Sequence, residues 1–215
     1  MRRALAILVA LAIGAAVGRV SAPNGAPSPG FPLIPGPSHQ VAGVGVGYAH
    51  NRAGAALAAA HYQQAFADVA ILRPAALRHR IETVATPDFA ATMLSANSPG
   101  AERLAGGALG EGVRSGIATV YFGAPVGYRL LSYSPRRAVV QTWGFTVLGN
   151  ASALEPSAYF GQSRTELVWM AGDWKIADTR ASFGPTPRLA TPRRAGEGFE
   201  LVELGRELRP YGLAP

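Results

Sequence analysis

The hydrophobic period of this chain changes once, and that change limits the fold more than any other feature. Between residues 51 and 69, Ala55, Ala59, Tyr62, Phe66 and Val69 recur at helical spacing and mark one apolar face. Asn51 stands where the N-cap of that helix belongs. Pro74 reads as a first-turn proline opening a second helix, with Leu77, Ile81 and Val84 on one side. TPDF at 86–89 is a third start signal, with Thr as cap, Pro in first position and Asp in the first turn. NSPG at 97–100 predicts an interruption, and a shorter helical piece over 101–114 carries Leu104 and Leu109. From residue 125 the period becomes two. The run 125–149 reads as two strands joined by a turn at Ser134, Pro135, Arg136 and Arg137. In the second strand Val139, Trp143, Phe145 and Val147 alternate with Val140, Thr142 and Thr146. RTELVWMAGDWKIADT at 164–179 gives a further hairpin, its turn placed at Gly172 and Asp173. Helices first and antiparallel strands afterwards predict an α+β fold, with N-terminal helices packed on one face of a curved antiparallel sheet.

The first 42 residues predict an address. Two arginines precede an uncharged apolar run over residues 4–17, and Arg19 closes it. That charge order sends the downstream chain across the cytoplasmic membrane. A cleaved signal peptide and an uncleaved anchor both fit. VSA ending at Ala22 resembles a cleavage box, but Pro23 directly after the cut favours the anchor. The run is short for a span of about 20 residues, and Arg19 would snorkel to lengthen it. Six prolines between Pro23 and Pro37 exclude a helix or central strand and predict a semi-rigid spacer. The expected divisions are therefore an anchor or signal at 1–20, a spacer at 21–42, a domain at 43–183, and a Pro/Arg-rich connector with a short C-terminal helix at 184–215. Phe199, Val202 and Leu208 would form the apolar side of that last helix. The expected location is the cell membrane, single-pass, with the domain on the extracytoplasmic side.

Composition removes several function classes. The net charge is +7, from 19 arginines and the single lysine Lys175. Beyond residue 20 the basic side chains are scattered apart from the pairs at 136–137 and 193–194, so no clustered stripe predicts nucleic-acid binding. Absence of cysteine removes disulfides, thiolate metal sites and cysteine nucleophiles. The four histidines show no metal-ligand spacing, and there is neither a P-loop nor a serine-nucleophile elbow. Gly43, Gly45 and Gly47 are spaced G-x-G-x-G after a proline-rich stretch, which is wrong for a dinucleotide turn.

The order of helices and strands, closing on LVWMAGDWKIAD, resembles the nuclear transport factor 2-like (cystatin-like) cone. The Trp-x-x-Gly-Asp-Trp-Lys-Ile hairpin at 169–176 carries that likeness, which covers residues 50 to 182. With an N-terminal anchor and a spacer, the chain is similar to membrane-anchored, conjugation- and type IV secretion-associated actinobacterial proteins. The resemblance implies a non-enzymatic, membrane-tethered scaffold or accessory subunit. It would bind envelope protein partners or a second copy of itself. The alternative is a cone that holds a small apolar ligand.

No residue is assigned a catalytic, cofactor or metal role. His61, Tyr62, Asp88 and Asp178 are the residues on which acid-base chemistry would fall, and each has a structural reading. His61 is an exposed or capping group, Tyr62 a core residue with its hydroxyl at the rim, Asp88 a first-turn helix acid, and Asp178 an ion-pair partner of Arg180. Tyr62, Phe66, Gln141, Trp143, Phe145 and Trp169 are the expected lining of a pocket in the mouth of the sheet.

Overall fold

The computed structural model describes residues 36–187 and the strand residues 209–210. Within them the chain begins as a β-ribbon. Strands β1 (His39–Val41) and β2 (Val44–Val46) pair antiparallel through a two-residue turn. Ala42 and Gly43 both have positive φ there, as a turn matched to the twist of a ribbon requires. Val44 and Val46 are buried. Residues 39–41, assigned to the spacer by sequence, thus form the outer strand of this ribbon.

Helix α1 (Arg52–Ala65) starts at Asn51, whose side chain accepts from the Gly54 N–H at 2.8 Å. Every residue from 54 to 60 is buried, and so is Tyr62. A short 3₁₀ turn (Val69–Leu72) leads to α2 (Pro74–Val84), α3 (Pro87–Gly106) and α4 (Ala108–Arg114). Helix α3 does not break at residues 97–100. Pro99 lies on its exposed side, where the carbonyl that loses its intrahelical donor faces solvent, while Met93 and Ala101 hold the buried side.

The large sheet is an antiparallel meander of β3 (Thr119–Ser134), β4 (Arg137–Asn150), β5 (Ser157–Met170) and β6 (Asp173–Phe183), in the order β6-β5-β4-β3. A last strand, β7 (Arg209–Pro210), pairs with β3 at Tyr128 and Gly127. The β5–β6 turn consists of Ala171 and Gly172, both at positive φ, so Asp173 is the first residue of β6 and not part of the turn.

This architecture corrects the predicted one. The sequence predicts a layer of N-terminal helices on one face of a curved sheet, in the manner of a nuclear transport factor 2-like cone, preceded by a membrane anchor helix. The described residues instead form a sheet-rich α+β fold of four α-helices and two antiparallel sheets, with the helices packed among the strands. Helix α1 touches β2 as well as β3, β4, β5 and β6. Asp68 bridges to Phe122 on β3, and Ala85, between α2 and α3, bridges to Ile176 on β6. The reason lies in α1. Its alanines bury on nearly all sides, and a helix apolar all round sits inside a structure rather than covering one face. No helix among the described residues is long and apolar enough to cross a membrane. Residues 1–20, where the anchor is predicted, lie outside the described residues, as does the helix predicted near the C-terminus.

One buried cation joins the ribbon to the helices. Arg80 on α2 is 5% exposed. Its guanidinium donates to Ala42 O at the ribbon turn (3.2 Å), to Ala65 O at the end of α1 (2.5 Å) and to the Asp68 carboxylate (3.2 Å). Two otherwise orphaned carbonyls are thereby satisfied.

Candidate functional site

Helix α1 turns two consecutive side chains toward two different polar centres. Tyr62 points to the start of β6, and Gln63 points to the far half of the sheet.

The Tyr62 centre is sealed. Its hydroxyl donates to Trp174 O at 2.8 Å and lies 3.3 Å from Asp173 Oδ2. Asp173 Oδ1 accepts from the backbone N–H groups of Tyr48 (3.1 Å) and Trp174 (2.9 Å). The Lys175 ammonium reaches Thr83 O at 2.7 Å and Asp173 Oδ2 at 3.4 Å. The Tyr48 hydroxyl lies 2.8 Å from His61 Nδ1. Burial pushes the Tyr48 and Tyr62 phenols up, and the Asp173 charge adds to it. Burial pushes the His61 imidazole down. A neutral Nδ1 therefore accepts the proton of Tyr48. Tyr48, Tyr62, Asp173 and Trp174 are all buried, and the carboxylate accepts from two N–H groups and the Lys175 ammonium, with the Tyr62 phenol packed beside it. The cluster ties the segment after β2, α1, the end of α2 and the last hairpin into one knot.

The Gln63 centre is open. Thr142 on β4 and Ser163 on β5 are cross-strand partners on the helix-facing side of the sheet, 2.7 Å apart through their hydroxyls. Both reach Gln63 Oε1, at 2.5 Å and 3.4 Å. The amide is thereby oriented, and its NH₂ has no protein acceptor among the described residues. Beyond it a cavity of about 380 Å³ opens along the same face, walled by Tyr121, Thr146, Leu148, Tyr159 and Phe183. Gly144 and Gly161 face each other across β4 and β5 and form its floor. The Tyr121 hydroxyl has no hydrogen-bond partner among the described residues, and burial pushes its pKa up. The arrangement is a largely apolar trough into which the Gln63 amide and the Tyr121 phenol project, with Thr146, Gln162 and Ser182 as further polar lining. A groove between α2 and α3, lined by Arg78, Glu82, Pro87 and Leu94, is roomier but carries no such converging pair.

The residues predicted to line a pocket are dispersed. Phe145 borders the trough. Tyr62 belongs to the sealed knot, and Phe66 packs on the edge of the core. Gln141 and Trp143 lie on the opposite face of the sheet. Gln141 accepts from Arg129 and donates to Gln162, and Trp143 donates to Pro185 O at 3.0 Å. Trp169 stacks on His50 at 3.9 Å, and the His50 ring also bonds Pro135 O. Of the acid-base candidates, Asp88 is an exposed first-turn acid of α3 and Asp178 pairs with Arg180 at 3.5 Å. Among the described residues no group of three or more His, Asp or Glu side chains is placed to share a metal ion.

Sequence reasoning misses Gln63, Tyr121 and Asp173. Gln63 sits one step off the apolar face of α1, and Asp173 follows a glycine as a turn residue would. The one usable signal is Thr142, a polar residue at an inward-facing position of β4, which needs a partner from another element.

Residues 31–194 match the family described as a domain of unknown function (DUF8175), and the chain belongs to that family. No curated protein and no solved structure matches the chain.

Proposed function

We propose that this member of the family is a non-enzymatic domain, tethered on the outer side of the cell membrane, that captures a small amphipathic molecule in the trough beyond α1. The observation that carries the reading is the Gln63 amide. It is oriented from behind by Thr142 and Ser163, so that its NH₂ is left for a hydrogen-bond acceptor in the trough. Tyr121 adds a neutral phenol, and Leu148, Tyr159 and Phe183 supply apolar walls. The volume falls within the roughly 300–1,000 Å³ range of small-molecule pockets. The envelope location rests on the arginine-flanked apolar run and the proline-rich spacer.

A protein-binding scaffold, of the kind conjugation and type IV secretion machines use, is the second reading. It is favoured by the rim of the trough, where Phe183 is 88% exposed beside the exposed Tyr159. A partner's chain laid over that rim would cover both.

The two readings separate in one experiment. The full-length protein, purified in mild detergent, is titrated with the amphipathic fluorophore 8-anilinonaphthalene-1-sulfonate, and its native mass is recorded from the same preparation. Saturable one-to-one binding that is abolished by Thr146→Trp, which fills the trough, supports ligand capture. Binding unchanged by that substitution, or no binding together with stoichiometric co-purification of an envelope protein, overturns it.

A further inference from the structure

Strand β6 is an open edge of the large sheet. Strand order gives it one neighbour, β5. Its outer side is covered at Ile176, where Ala85 bridges to it and the Thr86 N–H donates to Ile176 O. From Asp178 onward nothing among the described residues pairs with that side. A sheet edge left open in this way is a template for another strand.

The register shows which groups the edge offers. Hydrogen-bonded pairs alternate with non-bonded pairs along an antiparallel ladder. The Gly184 N–H donates to Phe160 O, so this position bonds toward β5. Counting back in twos, Ser182, Arg180 and Asp178 also turn their N–H and C=O groups to β5, opposite Gln162, Arg164 and Glu166. The Trp169 N–H, donating to Arg136 O ahead of β4, sets the same alternation from the other side of β5. Thr179 and Ala181 therefore present their N–H and C=O groups outward.

The side chains beside these groups are sorted by charge. On the sheet face away from Gln63, Arg164 and Arg180 stand opposite each other on β5 and β6, and Glu166 and Asp178 form the adjacent row. Like charges directly opposite cost stability. The Arg180 side chain is 81% exposed, and its contact with Asp178 on the same strand is a long one, 3.5 Å. A second β6 running antiparallel to the first must set outward groups against outward groups. A register centred on Arg180 opposes arginine to arginine. One centred on Ala181 carries Asp178 past the end of the partner strand. One centred on Thr179 opposes Asp178 to Arg180 twice, and the arginine row of each copy runs on into the acidic row of the other. On the helix-facing side the Thr165 and Thr179 hydroxyls, 3.2 Å apart, then continue into the partner's Thr179 as a threonine ladder.

We infer that β6 is a self-recognition edge, on which two copies join antiparallel about a two-fold axis at Thr179, each Asp178 paired with the partner's Arg180. The pairing is short. In this register Ser182 stands level with the partner's Ile176, whose outer side Ala85 already covers. The dimer is therefore weak and reversible. The charges that shape it also oppose pairing with strands of other sequence. Neither Asp178 nor Arg180 lines the trough, so the inference stands whether or not the trough holds a ligand.

The test is sedimentation velocity of the full-length protein in mild detergent, over about 1 to 300 μM. The parent protein is expected to pass from monomer to dimer within that range. Asp178→Arg and Arg180→Asp, each alone, oppose like charges across the axis and are expected to raise the dissociation constant about tenfold or more. An equimolar mixture of the two variants, and the double variant carrying both changes, are expected to dimerise in the parent's range, which misfolded chains would not do. A parent protein that stays monomeric throughout overturns the inference. So does a dimer indifferent to both single substitutions, and so does failure of both the mixture and the double variant to associate.

Discussion

A buried aspartate that accepts two backbone N–H groups and an ammonium holds the structure together, so its removal is read in stability. Asp173→Ala leaves the N–H groups of Tyr48 and Trp174 without their acceptor in a buried place and the Lys175 ammonium with Thr83 O alone. The expected loss is about 3–5 kcal/mol of unfolding free energy in urea titration. Asp88→Ala, at an exposed first-turn position, is expected to cost below about 1 kcal/mol. The same cluster fixes a pH profile. His61 has a lowered pKa in the folded state, so the unfolded chain takes up the proton first. Its contribution is whole above the ordinary histidine value of about 6.5 and is lost as pH falls below it. Tyr48 and Tyr62 have raised values, so their contribution is whole below the ordinary phenol value of about 10 and is lost as pH rises above it. Melting temperature should therefore decline on both sides of a neutral plateau. His61→Gln should flatten the decline between pH of about 7 and 5.5 and leave the alkaline decline in place. An unchanged acid limb in that variant would assign the effect to other groups.

At the scale of elements, turns are the places where local chemistry decides. The β5–β6 hairpin turns through Ala171 at φ 52° and Gly172 at φ 81°. Alanine in the left-handed region costs roughly 1 kcal/mol, which asparagine largely escapes. Ala171→Asn is therefore expected to stabilise the protein by about 0.5–1 kcal/mol in the same urea titration, with no change in the trough. Elements set by such local signals are legible in the sequence. The Asn51 cap, Pro74 at the head of α2, the turn at residues 134–137 and the alternation along β4 all follow from residues within a few positions of each other. Elements set by distant partners are not. Nothing near Pro99 announces that α3 continues, because the buried contacts of Met93 and Ala101 hold it. The β1–β2 ribbon is hidden in glycines that a linker would also carry, since its stability depends on Arg80, which lies 38 residues from Ala42. One-sided helix packing is the natural reading of a period of 3.6. The alanines on the other side of α1 are too small to stand out as apolar, yet they are what lets the helix enter among the strands.

The whole molecule places a buried strut and the amide that faces the trough on adjacent residues of one helix, and that separation is open to test. Tyr62 and Gln63 are about 100° apart around α1. The first closes the buried knot at the start of β6, and the second aims an amide into the trough beyond it. Pocket-lining residues are hard to read from sequence for the same reason. Gln63, Tyr121 and Tyr159 come from three elements, and only the meander's order brings them to one end of one face. Tyr62→Phe removes the donor to Trp174 O and leaves that carbonyl buried, at a cost of about 1–2 kcal/mol. Below its melting temperature the variant should bind 8-anilinonaphthalene-1-sulfonate as the parent does. Gln63→Leu leaves Thr142 and Ser163 bonded to each other, so the fold loses little. The trough loses its oriented donor, and affinity for an acceptor-bearing probe should fall about tenfold, or roughly 1.4 kcal/mol. Calorimetric melting and probe titration of both variants should therefore give opposite patterns. If both substitutions lower stability and affinity together, the knot and the trough are one structural unit, and the Gln63 amide is a strut of the sheet.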